Sequence, residues 1–168
     1  NTDGVPVKGK KHWPMANILQ RQPSMEIDFS FAVVRNPWDY AVSWYFFRLE
    51  RAKRRIESGN TKPKGKFSKE YNQWVLSESA KGIEHWFESI NVSLQQYTKV
   101  KDVEYVMKLE NLEHDFVRIQ QHFNCSEPLL HLNYSRREKN YQQYYNAYTK
   151  NLIAEKFAVD IATFGYEF

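Results

Sequence analysis

The solid apolar run Ala32-Val33-Val34 passes straight into Arg35-Asn36-Pro37-Trp38-Asp39, and this junction constrains the fold more than any other stretch of the chain. The residues before it, Ile27-Asp28-Phe29-Ser30-Phe31, alternate apolar and polar, so the segment reads as a strand whose far end is buried. A helix has to start at once. Asn36 suits the N-cap, Pro37 the first helical position and Asp39 the first turn, where a carboxylate meets the positive end of the helix dipole. Trp38, Ala41, Val42, Tyr45, Phe46 and Leu49 then recur at three-and-four spacing and mark one buried helix face. So tight a strand-to-helix turn belongs to an α/β unit, in which ligands gather past the strand's carboxyl end and at the helix N-terminus.

The rest of the chain repeats the theme more loosely. From Arg51 to Lys69 the sequence is basic and carries Gly59, Pro63 and Gly65, so the helix is expected to fray into a mobile basic loop spanning 51–70, read either as a solvated surface or as a substrate-facing lid. Tyr71 to Ser89 predicts a helical pair or a bent helix, with Gly82 as the weak point. Asp102 to Leu109 predicts a second strand, and Asn111 to Phe123 a helix with Leu112, Phe116, Ile119 and Phe123 inward. A tyrosine-rich helix from Tyr141 to Phe157 leads to Asp160 and the closing Phe164-Gly165-Tyr166-Glu167-Phe168. The expected fold class is α/β, a parallel sheet flanked by helices in a single domain over 1–168.

Composition narrows the function. The chain of 168 residues has 24 basic against 20 acidic residues, a mild excess that favours an anionic ligand without calling for nucleic acid. Cys125 is the one cysteine, so an intrachain disulfide and a cysteine-based metal cluster are both excluded. No run of eighteen apolar residues exists, and Asn1 to Lys11 is polar and basic rather than a signal-peptide core. The expectation is a cytoplasmic protein with no membrane partner and no metal. Three glycosylation sequons, at Asn91, Asn124 and Asn133, are short enough to arise by chance.

Arg35 stands at the strand end beside the free N–H groups of the following helix, so a guanidinium fork and a helix dipole converge where an anion fits. Physics alone also allows a surface arginine paired with a nearby acid. The stretch from Phe31 to Tyr45, an apolar strand followed by R-N-P-x-D-x-x-x-S-x-Y, resembles the 3'-phosphate motif of the sulfotransferase superfamily, whose donor is PAPS, 3'-phosphoadenosine 5'-phosphosulfate. The resemblance implies that Arg35 and Ser43 hold the 3'-phosphate. Spacing alone leaves Ser43 an ordinary helix serine.

Upstream, Lys10-Lys11-His12-Trp13-Pro14 looks like the K-T-H-x-P segment of cytosolic sulfotransferases. By that likeness His12 is the catalytic base that takes the proton of an acceptor hydroxyl, and Lys10 steadies the charge that develops on the bridging oxygen. Without it the segment reads as an exposed basic patch. Gly4 to Lys11 nearly spells a nucleotide-triphosphate loop, but Lys11 replaces the hydroxyl residue and Trp13-Pro14 interrupts the helix such a loop needs.

Other parts of the family pattern are altered. Nothing in the chain resembles the P-K-x-x-x-T-S loop that cradles the donor's 5'-phosphosulfate, so the expected domain lacks its first strand-loop-helix. Leu109 occupies the tyrosine position of the family's Y-E-D-L strand end, so an adenine contact is not carried over, and Glu110 is read as a cap of the next helix. Arg136 and Arg137, in His131-Leu132-Asn133-Tyr134-Ser135-Arg136-Arg137, resemble a late loop near the nucleotide and are candidate phosphate ligands. The resemblance implies sulfuryl transfer from PAPS to a hydroxyl, or an amine, of a small-molecule or glycan acceptor. The rival reading is an inactive module that keeps the anion site and has lost the 5' loop.

Overall fold

The computed structural model describes residues 14–130 and 137–168. In chain order the elements are α1 (Met15–Arg21), β1 (Phe31–Val34), α2 (Pro37–Glu57), α3 (Lys69–Ala80), α4 (Ile83–Ser89), α5 (Tyr97–Val100), β2 (Tyr105–Lys108), α6 (Leu112–Phe123), α7 (Ala147–Lys156) and α8 (Ala158–Phe164). The α/β class expected from the sequence is the one observed: β1 and β2 pair in parallel, Phe31 opposite Tyr105 and Val34 opposite Lys108, with helices around them.

Both strands are shorter than their sequence patterns. The ladder starts where the Tyr105 N–H donates to the Ser30 carbonyl and the Glu104 N–H to Ser30 Oγ. Ile27 to Phe29 lie before it, without a ladder partner in β2, and alternation alone does not make a strand. Val34 sits at 1% exposure on the face turned to the core; on the opposite face Phe31 and Val33 are exposed, while their neighbour Met107, paired with Val33, is buried at 1%.

Helix α2 forms as its caps and periodicity require. The Asn36 side chain accepts from the Trp38 N–H, Pro37 takes the first position, and Trp38, Ala41 and Val42 are buried. The expected fraying at Arg51 is corrected. The helix runs on to Glu57, because Ala52 is buried at 1% while the arginine side chains lie over aromatic rings, Arg51 5.0 Å from the Phe47 centroid and Arg55 4.4 Å from that of Phe67. Basic residues are good helix formers, and the stop comes only at Ser58 and Gly59, whose φ of 64° is left-handed. The connection to α3 therefore covers only 58–68.

Gly82 breaks the next helical stretch into α3 and α4, as anticipated. Lys156 then caps α4 from α7: its ammonium donates to the carbonyls of Phe87, Glu88 and Ile90, and burial pushes its pKa below the ordinary lysine value. In α6, Ile119 is buried as expected, but Phe123 is half exposed, because its ring packs edge-on against Phe29 at the rim of the molecule. The single helix expected over 141–157 is instead a tight turn, Tyr141–Tyr144, followed by α7. Asn146 starts α7 through a capping box with Thr149.

One core joins these parts. Val34, Trp38, Val42, Phe87, Ile153 and Phe157 meet in it, and the closing segment folds back so that Phe168 inserts among Trp38, Tyr141 and Tyr145 at centroid distances of 5.6, 6.0 and 5.5 Å. The C-terminal end thus packs beside the β1–α2 junction.

Candidate functional site

The backbone of the junction is held by groups remote in sequence. Arg35 donates its N–H to Gln96 Oε1 at 2.8 Å and accepts at its carbonyl from Gln96 Nε2 at 2.7 Å. The next N–H, that of Asn36, donates to Glu110 Oε1 at 2.6 Å, and the Asn36 side-chain amide donates to the Glu167 carbonyl at 2.8 Å. Glu110 does not cap α6, as the sequence reading had it. Standing just past the end of β2, it reaches across to the start of α2 and also accepts from Tyr166 Oη at 3.3 Å. The cause is the parallel register, which brings the two strand ends side by side.

The side chains come from successive turns. Positions 35, 39 and 43 are each four apart, which places Asp39 and Ser43 on one face of α2 above the strand end. Arg35 donates through Nε to Asp39 Oδ2 at 2.6 Å, pairs with the same oxygen through Nη2 at 2.6 Å, and donates through Nη1 to Ser43 Oγ at 2.8 Å. Arg137, with a side chain only 7% exposed, pairs with the other Asp39 oxygen through Nη2. Two guanidiniums therefore share one carboxylate at the positive end of a helix.

Arg137 Nε is buried and has no hydrogen-bond partner among the described residues. A buried charged donor left without an acceptor is costly, so the group fits a site completed by an anion. These residues open onto a cleft of about 1240 Å³, lined by Arg35, Ser43 and Arg137 and, along α2, by Tyr40, Trp44 and Phe47. The three rings stack, Tyr40 to Trp44 at 6.3 Å and Trp44 to Phe47 at 5.3 Å. Burial pushes the Tyr40 pKa up, the Asp160 charge adds to the rise and Arg35 opposes it, so the phenol stays protonated at neutral pH. A smaller pocket of about 240 Å³ lies between α2, α3 and α4 beside Tyr45, Trp74 and Trp86.

Of the residues singled out from sequence, Arg35, Ser43 and Arg137 come together here, the last through Asp39. Lys10, His12 and Arg136 lie outside the described residues. Leu109 lines the cleft and offers no ring. Sequence reasoning missed Gln96 and the true role of Glu110, whose contacts span 61 and 74 positions and leave no local signal. The bridging by Asp39 was half legible, since an acid four residues after an arginine is a known helix pair.

Among the described residues no group of acidic, histidine or cysteine side chains is placed to hold a metal, and no helix is long and apolar enough to cross a membrane. The family model described as Sulfotransferase family matches residues 8–167. No curated protein and no solved structure matches the chain.

Proposed function

The chain belongs to the sulfotransferase family, and we propose that it takes PAPS as its donor, with the 3'-phosphate held by Arg35, Ser43 and Arg137. PAPS supplies the sulfuryl group that passes to an acceptor hydroxyl. The observation that carries the reading is the convergence on one cleft of Arg35 Nη1 bonded to Ser43 Oγ at 2.8 Å and a buried Arg137 whose Nε has no acceptor among the described residues. A phosphate has oxygens enough to take both guanidiniums and the serine hydroxyl, and the dipole of α2 adds to their field.

In the same cleft, the rings of Trp44 and Phe47 offer flat faces for an acceptor, and carbohydrates are the first class to screen. His12 is assigned the acceptor's proton and Lys10 the leaving oxygen, on the motif alone.

Calorimetric titration with adenosine 3',5'-bisphosphate tests the donor site. The chain is expected to bind it, and Arg35→Ala to weaken binding about a hundredfold, since two charge-assisted hydrogen bonds at roughly 1.5 kcal/mol each are at stake. Ser43→Ala is expected to cost less, about tenfold, for one hydrogen bond to the phosphate at roughly 1.5 kcal/mol. Equal binding by the chain and Arg35→Ala would sink the reading. His12→Ala, assayed for transfer of labelled sulfate, is expected to bind the bisphosphate normally and to lose turnover.

A further inference from the structure

We infer that Gln96 is a positioning residue for the anion site: its amide fixes the peptide of Arg35 and thereby aims the guanidinium that selects a 3'-phosphate. The inference rests on the donor reading above. It starts from an unusual contact, in which one side-chain amide uses both of its functions on one residue, accepting the Arg35 N–H at 2.8 Å and donating to the Arg35 carbonyl at 2.7 Å. This is the pairing a neighbouring strand would give, supplied here by a side chain past the last residue of β1.

Arg35 needs it. Val34 is the last residue of β1 and Pro37 the first of α2, so neither the sheet ladder nor the helix holds the Arg35 peptide. Without Gln96, a partly buried N–H and carbonyl lose their partners in one step, and the chain turns about the residue whose side chain meets the anion.

Gln96 is itself held. It is 9% exposed, and its own N–H donates to Asp160 Oδ2 at 2.7 Å while the N–H of Tyr97 donates to Asp160 Oδ1 at 2.8 Å. Asp160, fully buried on α8, therefore caps α5 and sets the place from which Gln96 reaches Arg35. The supports run Asp160, Gln96, Arg35: Asp160 accepts from the N–H groups of Gln96 and Tyr97, and Gln96 makes two hydrogen bonds to Arg35.

Gln96 lines no part of the cleft, so it acts through Arg35 and not on the ligand. That separates it from a binding residue in a measurable way. Its loss should reduce the advantage of a nucleotide that carries a 3'-phosphate and leave one without it almost untouched. A residue that only stabilises the fold would weaken both alike.

The test titrates the whole chain with adenosine 3',5'-bisphosphate and with adenosine 5'-monophosphate, and follows the Arg35 Nε–H signal by nuclear magnetic resonance in the same samples. Gln96→Met keeps the length and removes both hydrogen bonds. It is expected to weaken the bisphosphate by roughly tenfold or more, as misplacing a binding group does, to shift the free-state Arg35 signal, and to leave the monophosphate within about twofold. Gln96→Glu keeps the acceptor for the Arg35 N–H and loses the donor to its carbonyl, so it should fall between the chain and Gln96→Met, and it serves if the methionine variant does not fold. Folded variants that bind the bisphosphate as the unaltered chain does, while Arg35→Ala fails to, would overturn the positioning role alone. Parallel losses for both nucleotides would also overturn it. Arg35→Ala binding normally would remove the donor reading, and this inference with it.

Discussion

Arg137 pairs with Asp39 across 98 positions of sequence, and through that carboxylate it is coupled to Arg35. Neither arginine could be placed beside the other by local structure: one follows the last residue of β1, and the other lies between α6 and the Tyr141–Tyr144 turn. The shared acid holds two like charges together in a partly buried place, where they would otherwise repel. Asp39 is thus a structural counter-ion as well as a first-turn helix residue.

Asp39→Asn is expected to lower stability by about 2 kcal/mol, less than the loss of a fully buried partner because Arg35 keeps some contact with solvent. For a chain of this size that is a fall of roughly 4–8 °C in melting temperature. Added inorganic phosphate should then raise the melting temperature of the variant more than that of the unaltered chain, since the anion replaces the missing charge. Equal increments in a thermal melt would show that the two arginines do not need a counter-ion.

Alkali should unfold the protein through its tyrosines. Burial holds the pKa of Tyr145 far above the ordinary 10.0, and Tyr166, Tyr40, Tyr141 and Tyr45 are raised as well. For each, the folded value lies above the unfolded one, so the contribution is fully present below pH 10.0 and is lost as pH climbs toward the folded value. Tyr145 alone accounts for up to about 1.4 kcal/mol per pH unit in that window, and the more exposed tyrosines for less after solvent screening. Lys156 works the other way, its lowered value adding stability as pH rises toward 10.5, but it is one group against five. Melting temperature followed from pH 8 to 11 should fall above pH 10, with the tyrosinate signals of the buried Tyr145 and Tyr166 appearing together with unfolding. Tyrosinate formed at Tyr145 or Tyr166 in the folded state would contradict this.

Gly82→Ala is expected to cost about 1–3 kcal/mol, the strain of a conformation nearly confined to glycine. Its φ of 97° and ψ of 169° separate α3 from α4, and an added Cβ would meet nothing within 4 Å, so the cost is backbone strain and not crowding. Chemical denaturation would measure it with the slope against denaturant unchanged. No loss would mean that the α3–α4 break relaxes without disturbing Phe87, which α4 places in the core.

The β1–α2 unit, and the Arg35–Ser43 pair within it, were legible in the sequence. Apolar run, N-cap, proline and helical period are all local, and R-N-P-x-D-x-x-x-S sets Arg35 and Ser43 on adjoining turns, because a helix repeats every 3.6 residues. What those residues lean on was set by packing between remote segments. Glu110 looked like a cap for α6 until the parallel register set the two strand ends side by side, where it serves Asn36 instead. Arg51 to Glu57 looked like loop because basic composition resembles a solvated segment, and became helix because Ala52 found the core and the arginines found rings. Gln96, Asp160 and Asp39 act across 61, 64 and 98 positions, and periodicity carries no information over such distances. Hydrogen bonds between remote segments exist only once packing has brought their donors and acceptors within 3 Å, which is why the chemistry of the site was local and its rigidity was not.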